Sequence, residues 1–211
     1  IPDHFENYYE PFVGGGSVFM AIQADNYMVN DFSTELIQLY RYIKDRNEDF
    51  FNYVRGMEQT WTNMEHLLHD SIVELSGIYV SFRNDEITFA DVCKHIDTFA
   101  NNNHDAINGV LAVIQTNQES LTNEIRRNLK DKMKRMKKIE ADKGILPETD
   151  LSDNIEGSLK GSVYMYYRGL YNNREIEKPM SLQTALFFFM RNFAYSGMIR
   201  FSSSGDFNVT Y

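Results

Sequence analysis

The sequence has few of the features that mark secreted and membrane proteins. Its single cysteine, Cys93, excludes an internal disulfide bond, and no run of about 18 apolar residues could span a bilayer. Prolines occur only at Pro2, Pro11, Pro147 and Pro179. Because 43% of the 211 residues are hydrophobic, the chain can form a core, which excludes a disordered tail. We therefore expect a cytoplasmic protein that has no membrane partner.

Positive charge is scarce overall but concentrated in one segment. With 21 Lys and Arg against 30 Asp and Glu, the net charge is −9, which argues against a protein that coats polyanions through bulk charge. Residues 126–138 nevertheless contain eight basic residues and one acid, Asp131. Apolar residues at three- and four-residue spacing predict an amphipathic helix there, with a basic outer face. A solvated helix surface and a nucleic-acid contact both remain open for it.

A glycine cluster follows the first predicted strand. Residues 8–13 are mainly aromatic and β-branched and lead into Gly14, Gly15 and Gly16, after which residues 17–24 have helical spacing. Glycines permit positive φ angles and let a ligand touch the backbone. The spacing is neither G-x-G-x-x-G nor a Walker loop, since no Lys-Ser/Thr pair follows. The loop therefore favours a nucleoside without phosphates, such as S-adenosylmethionine.

A second strand and helix follow this loop. A short strand at residues 27–29 ends at Asp31, and Ser33 opens a clear helix. Such a repeat is typical of the start of an open, doubly wound sheet, in which an acid at the tip of the second strand accepts the ribose hydroxyls. Phe32 could lie against the base. The alternative is a tight glycine turn with Asp31 as a helix cap.

The rest of the chain is predicted to be mainly helical. Residues 47–145 alternate apolar and charged residues at helical spacing, and residues 143–160 have the composition of a surface loop. Ser181 is a suitable N-cap for an apolar helix at residues 182–193. After this helix, residues 202–205 predict a hairpin or loop. The fold class is therefore a helix-rich α/β protein.

Three blocks of the sequence resemble the Dam-type, adenine-specific DNA methyltransferases. They consist of residues 9–19, residues 29–37, and a C-terminal block made of residues 166–172, 185–200 and 205–209. The resemblance implies the start of a Rossmann-like methyltransferase sheet with a large helical insertion. Its domains would be the first part of a cofactor-binding domain at 1–46, a helical, DNA-binding insertion at 47–160, and a helix with a target-recognition hairpin at 161–211.

The resemblance also implies a reaction and its partners. A methyl group would pass from S-adenosylmethionine to the exocyclic amine of an adenine flipped out of double-stranded DNA. A cognate restriction endonuclease, acting separately, is a further partner that this implies. Two alternatives remain open: a non-catalytic DNA-binding or regulatory protein derived from such enzymes, and a small-molecule methyltransferase.

Two groups of site residues follow from the resemblance. The cofactor-binding group is Glu10, Pro11, Phe12, Gly14, Gly15, Gly16, Ser17, Asp31 and Phe32. The DNA-binding group of the hairpin is Tyr195, Ser196, Met198, Arg200 and Asn208. Tyr195 would insert into the base stack, and Arg200 would read a guanine. Because Ser196 replaces the family's usual Asn and Thr210 its usual Pro, a GATC target is not implied.

With DNA as the partner, we expect the basic helix to contact phosphates as well. The residues expected to do so are Arg126, Arg127, Lys130, Lys134 and Lys137. Such contacts position a protein on DNA without reading its sequence.

The family's catalytic motif, Asp-Pro-Pro-Tyr, is absent, because no two prolines are adjacent. The catalytic residues are therefore unknown, and we expect a fragment, truncated at both ends, that is inactive alone. No metal site is expected, since no Cys or further His completes a site with His66 and His69 and the adjacent acids Glu65 and Asp70.

Overall fold

The computed structural model describes residues 4–112 and 118–211. Within these ranges the protein is a helix-rich α/β structure, as predicted, with two parallel strands, β1 (Phe5–Glu10) and β2 (Ala24–Val29). The helices are α1 (Ser17–Ala21), α2 (Thr34–Lys44), α3 (Glu48–Arg83), α4 (Phe89–Asn102), α5 (His104–Val110), α6 (Gln118–Lys143), α7 (Glu148–Asn172) and α8 (Met180–Phe193). None of the helices in these ranges combines the length and the apolar character that crossing a membrane requires.

The two strands bring their carboxyl ends to one edge of the sheet. Glu10 of β1 is in register with Val29 of β2, so the segments that follow both strands start side by side. The prediction of a strand at residues 8–13 was wrong at both ends. The strand begins at Phe5 and ends at Glu10, because Pro11 has no backbone N–H and forms a turn with Phe12.

The helix after β2 begins where the sequence predicted. The hydroxyl of Ser33 accepts a hydrogen bond from the backbone N–H of Leu36 at 3.2 Å, which caps α2. Leu36 and Leu39 are buried. The second strand, the capped helix and the turn between them therefore form a fixed unit behind the sheet edge.

The six helices α3 to α8 pack around one hydrophobic core. The 36-residue helix α3 packs against α7 and α8, while α6 packs against α4 and α7. Fully buried side chains on these helices include Leu75, Ile96, Leu129, Leu159 and Leu186. The prediction that residues 47–145 are mainly helical is confirmed for the part of that range that the structure describes.

Two sequence predictions in the C-terminal third were wrong. The surface loop predicted at 143–160 is confined to residues 144–147, because α7 begins at Glu148. Leu151 and Ile155 lie one turn apart and are buried against the core, which outweighs the small polar residues between them. Ser181 does not cap α8. The cap position is Pro179, and Ser181 is buried in the first turn.

A buried carboxylate ties α3 to the end of α6. Glu140 accepts hydrogen bonds from the Tyr79 hydroxyl at 2.6 Å and from the Leu146 backbone N–H at 2.9 Å. The guanidinium of Arg83 lies 3.8 Å from the same carboxylate. Burial raises the pKa of Tyr79 well above its usual range, and the bond to Glu140 adds to this effect. The phenol therefore stays a donor to the carboxylate.

We expect Tyr79→Phe to lower the free energy of unfolding by about 1–3 kcal/mol, since it keeps the ring but leaves a buried carboxylate with one donor fewer. Urea denaturation at neutral pH measures this loss. The matched control is Tyr53→Phe on the same helix, which removes a hydroxyl outside this network. Equal stability of the two variants would show that the Tyr79–Glu140 bond contributes nothing specific.

Candidate functional site

The glycine loop after β1 has a conformation that depends on glycine. Gly14 and Gly16 have φ angles of 48° and 78°, in the left-handed region. The Val13 N–H donates to the Asn30 carbonyl and the Gly16 N–H to the Val13 carbonyl, both at 2.8 Å. The loop is therefore a tight turn held against the segment that follows β2.

Asp31 joins this loop to the start of α2. One carboxylate oxygen, Oδ2, accepts a hydrogen bond from the Gly14 N–H at 2.8 Å, and the other, Oδ1, accepts one from the Ser33 N–H at 2.9 Å. The bonds from Ser33 and then Gly14 hold the pKa of Asp31 below its usual value. Each oxygen keeps a further lone pair, so the carboxylate can still accept from a ligand.

Two side chains support the loop from behind. The Tyr40 hydroxyl of α2 donates to the Gly14 carbonyl at 2.9 Å, and burial raises the pKa of this tyrosine. Arg191 of α8 lies close to Gly15, where an added Cβ would be 3.4 Å from the guanidinium. Helices α2 and α8 thus fix the position of the loop. Neither contact leaves a recognisable pattern in the sequence.

The opposite side of the loop is open and aromatic. Phe12 and Phe32 are 77% and 95% exposed, and a Cβ added at Gly14 would meet nothing within 4 Å. The flanking residues Glu10 and Ser17 are the last of β1 and the first of α1. Exposed aromatic faces, an open backbone and a carboxylate with free lone pairs fit a nucleoside such as S-adenosylmethionine. The structure places every residue predicted to bind the cofactor here, but their role stays a prediction.

Because Gly16 combines a positive φ with a close neighbour, we expect Gly16→Ala to weaken S-adenosylmethionine binding by the complete protein at least tenfold. A Cβ there would lie 2.8 Å from the Tyr40 hydroxyl, and the left-handed conformation costs roughly 1–2 kcal/mol for a residue with a Cβ. Isothermal titration calorimetry measures the affinity. Gly15→Ala is the matched control, since its φ is not positive and its nearest contact, at 3.4 Å, is an ordinary one.

The double variant Gly16→Ala/Tyr40→Phe separates the clash from the backbone strain. Removing the hydroxyl should restore part of the affinity that Gly16→Ala loses. Equal affinities for Gly15→Ala and Gly16→Ala would contradict the role assigned to the loop conformation.

Residues 195–211, which the sequence predicts to recognise the DNA target and which we call the recognition segment, follow α8 as a turn and a short hairpin. A 3-10 turn at Tyr195–Gly197 leads to an antiparallel bridge between Phe201 and Phe207. The Ser202 N–H donates to the Asp206 carbonyl at 2.8 Å, which closes the hairpin. The structure thus confirms a hairpin at the predicted residues 202–205.

Helix α7 holds the returning strand of this hairpin. The Asn172 amide pairs with the backbone of Phe207 at 2.8 and 2.9 Å. The Tyr164 hydroxyl and the Arg168 guanidinium donate to the Val209 carbonyl at 3.0 and 2.9 Å. These scaffold residues were not among the predicted site residues, although Arg168 and Asn172 lie in the resembling blocks.

Arg200 lies on the exposed face of the hairpin. Its Nε donates to the Asn208 side-chain oxygen at 2.8 Å, and the Asn208 N–H donates to the Arg200 carbonyl at 3.0 Å. Tyr195 is 64% exposed, and Met198 and Ser196 are also at the surface. Asn208 therefore orients the arginine, and the other predicted DNA-binding residues of the hairpin are accessible.

A cleft of about 640 Å³ connects the two halves of the site. Phe32 and Glu35 line it from the cofactor side, and Ile199 and Phe201 from the recognition segment. Tyr171 of α7 lies between them. The sequence placed these residues in separate domains, whereas the fold brings them to one opening.

Four of the five cations predicted to contact DNA phosphates are paired with acids within the protein. Arg126 and Lys130 lie 3.7 and 2.6 Å from Asp97 of α4, and Lys137 lies 2.5 Å from Asp85. Arg127 pairs with Glu124 on its own helix, and the Lys134 ammonium lies over the Phe89 ring. DNA binding by these five residues stays a prediction, but their charge also holds α6 to its neighbours.

Among residues 4–112 and 118–211, no group of three or more His, Cys, Asp or Glu side chains could hold a metal ion. His69 contacts Asp70 at 3.3 Å on an exposed face.

Residues 1–142 match the model of the D12 class N6 adenine-specific DNA methyltransferases. The chain belongs to this family. The match confirms the resemblance to adenine-specific DNA methyltransferases. It includes the glycine loop and most of the helical region, while the recognition segment lies outside the matched residues.

Curated relatives agree with this family. The chain is 40% identical over 59 residues to the type II methyltransferase M1.LlaDCHI of Lactococcus lactis subsp. cremoris, covering 28% of this chain and 21% of that protein. It is 46% identical over 48 residues to the DNA adenine methylase of Serratia marcescens, covering 23% and 18%. It is 31% identical over 74 residues to that of Escherichia coli (strain K12), covering 35% and 27%. The chain thus spans about a quarter or less of these methyltransferases, and it matches no solved structure.

Proposed function

We propose that this chain binds the cofactor and the DNA target of an enzyme that transfers a methyl group from S-adenosylmethionine to the exocyclic amine of adenine. The observation that carries the proposal is the Asp31 carboxylate, which fixes an open glycine loop beside two exposed aromatic rings. Family membership supplies the reaction class.

In the proposed site, the chain's own residues hold the parts of the cofactor. The backbone of the glycine loop would hold the methionine end, the free lone pairs of Asp31 would accept hydrogen bonds from the ribose, and Phe32 would pack on the adenine. S-adenosylmethionine, when bound, supplies an electrophilic methyl group. Tyr40 and Arg191 keep the loop in place from behind.

The recognition segment meets the DNA in this proposal. A base must leave the helix before its amine can react, because the amine is stacked and paired in duplex DNA. Exposed Tyr195 fits a residue that fills the vacated stack, and Arg200, oriented by Asn208, fits one that reads a guanine edge. The cleft between Phe32 and Phe201 gives a flipped base a path toward the cofactor side.

We assign to these 211 residues the binding of cofactor and DNA, and no step of the methyl transfer. The sequence contains no Asp-Pro-Pro-Tyr motif, so the acceptor for the adenine amine is not assigned to any residue of this chain. The same absence favours a second candidate function, a non-catalytic DNA-binding protein derived from such enzymes. In either case we expect action on chromosomal or phage DNA in the cytoplasm, and for the enzyme a separate restriction endonuclease as a partner.

Calorimetric titration of the complete protein with S-adenosylmethionine tests the cofactor half of this proposal. We expect saturable binding at one site per chain, which Gly16→Ala weakens more than Gly15→Ala. Absence of binding by the wild-type protein would refute the cofactor assignment and leave DNA binding as the remaining function.

A further inference from the structure

We propose that a basic cleft between α6 and α7 binds backbone phosphates of the target DNA beside the recognition segment. The basic cleft is the space lined by Arg127, Lys132 and Arg135 of α6, by Gly157 and Ser158 of α7, and by Thr210. The inference rests on the proposed function, since it places the DNA that this function requires.

The cleft has room for a phosphate group. Its volume is about 410 Å³. On the α7 wall, Gly157 leaves open space, because a Cβ added there would meet nothing within 4 Å. Three cations of α6 line the same opening.

Two cations of the cleft, Lys132 and Arg135, lack an acidic partner among the described residues. Lys130 and Lys137 are paired with Asp97 and Asp85, whereas the Lys132 ammonium has a neutral contact, the Asn154 side-chain oxygen at 3.5 Å. In the described parts of the chain, neither Lys132 nor Arg135 forms an ion pair. Two unpaired cations near one another leave a net positive charge that an anion would neutralise.

Two further charged side chains, Arg127 and Asp131, line the cleft. Arg127 is already paired with Glu124, and Asp131 is the acid that lines the opening. Burial lowers the pKa of Lys132, and the neighbouring Arg135 lowers it further. Binding of a phosphate would oppose both effects, because it brings negative charge to a half-buried ammonium.

A hydroxyl on the α7 wall also lacks a partner. Ser158 is 3% exposed, and its Oγ makes no hydrogen bond to any residue that the structure describes. Buried polar groups are nearly always paired, so an unpaired one at a cationic opening marks a position for a ligand or a bridging water.

The position of the cleft points to DNA rather than to a free anion. The Thr210 carbonyl, at its edge, accepts a hydrogen bond from the Tyr195 N–H at 2.8 Å. Tyr195 is the most exposed aromatic of the recognition segment. A DNA backbone that runs past Tyr195 would therefore continue into the basic cleft, where phosphate contacts position the duplex without reading its sequence.

The salt dependence of DNA binding tests the inference. We would titrate a fluorescein-labelled duplex with the complete protein at salt concentrations from about 50 to about 200 mM and measure anisotropy. For Lys132→Gln/Arg135→Gln, the slope of log K against log salt should become less negative by roughly 1.8, since each lost phosphate contact changes it by about 0.9. Its preference among DNA sequences should not change.

Lys138→Gln/Lys143→Gln is the matched control, because it removes two exposed cations of α6 outside the cleft. Its slope should stay close to that of the wild type. Lys132→Arg/Arg135→Lys, which keeps both charges, should also retain the wild-type slope and guards against a loss of fold in the neutral variant.

Three results would overturn the inference. An unchanged slope in the neutral cleft variant would refute the cleft alone, because wild-type DNA binding would still stand. An equal change of slope in the cleft and control variants would show that the total charge of α6, and not the cleft, determines the salt dependence. Thermal stabilisation by inorganic phosphate in the wild type alone, with an unchanged DNA slope, would assign the cleft to a small anion. Failure of the wild type to bind DNA would refute the proposed function itself.

Discussion

Replacing Asp31 with alanine should lower the affinity of the complete protein for S-adenosylmethionine by at least about 100-fold. The carboxylate accepts from the Gly14 and Ser33 N–H groups at 2.8 and 2.9 Å. Hydrogen bonds to a charged group contribute about 1.5–3 kcal/mol each, and about 1.4 kcal/mol corresponds to tenfold in affinity. Loss of both releases the loop and removes the acceptor for the ribose. Isothermal titration calorimetry measures the change.

Asp25→Ala is the matched control for this variant. Asp25 is an exposed acid of β2 that lies 3.2 Å from His4, so its loss removes a carboxylate from the strand that precedes Asp31 without touching the loop. Asp31→Asn should fall between the two, because the amide keeps one acceptor oxygen but loses the charge. Unchanged affinity in Asp31→Ala, with the fold intact by circular dichroism, would rule out the cofactor assignment.

Replacing Arg200 with alanine should relax discrimination at one base position of the DNA target by about 5- to 150-fold. A bidentate contact between arginine and guanine contributes about 1–3 kcal/mol of discrimination. Sequencing of the adenines that the enzyme methylates in a randomised duplex pool measures the preference at each position. Arg200→Lys should also lose discrimination, because lysine keeps the charge but not the planar pair of donors.

Two control variants separate base reading from general binding. Asn208→Ala removes the partner of the Arg200 Nε and should relax the same base position to a smaller degree. Arg174→Ala removes a cation that lies 3.5 Å from Asp206 of the same hairpin and should leave the base preference unchanged. If Arg200→Ala instead weakened binding to all sequences equally, the arginine would be a phosphate contact.

The sequence predicted the parts of the site that depend on local chemistry. Glycines that require positive φ, an acid after a short strand and a serine cap each leave a local pattern, and Gly16, Asp31 and Ser33 lie where those patterns placed them. It did not predict that Asp31 engages Gly14, because that bond joins residues 17 positions apart and depends on the register of β1 against β2.

Tertiary contacts decided the features that the sequence missed. The composition of residues 143–160, rich in glycine and small polar residues, predicts a loop where α7 begins. The helix forms there because Leu151 and Ile155 pack against the core, a contact that the local sequence does not show. The sequence also predicted the density of positive charge on α6, but not which acidic side chains pair with it. Within the described residues, Lys130 has an acidic partner and Lys132 has none because α6 packs on α4, which brings Asp97 to Lys130.

Mass spectrometry of duplex DNA incubated with the complete protein and S-adenosylmethionine carrying a labelled methyl group tests the proposed function most directly. We expect the label on the exocyclic nitrogen of adenine, at sites whose sequence preference changes in Arg200→Ala, and its loss in Asp31→Ala but not in Asp25→Ala. If the DNA stays unlabelled although the protein binds both DNA and cofactor, the proposal of a methyltransferase is contradicted and the protein is a non-catalytic DNA-binding protein.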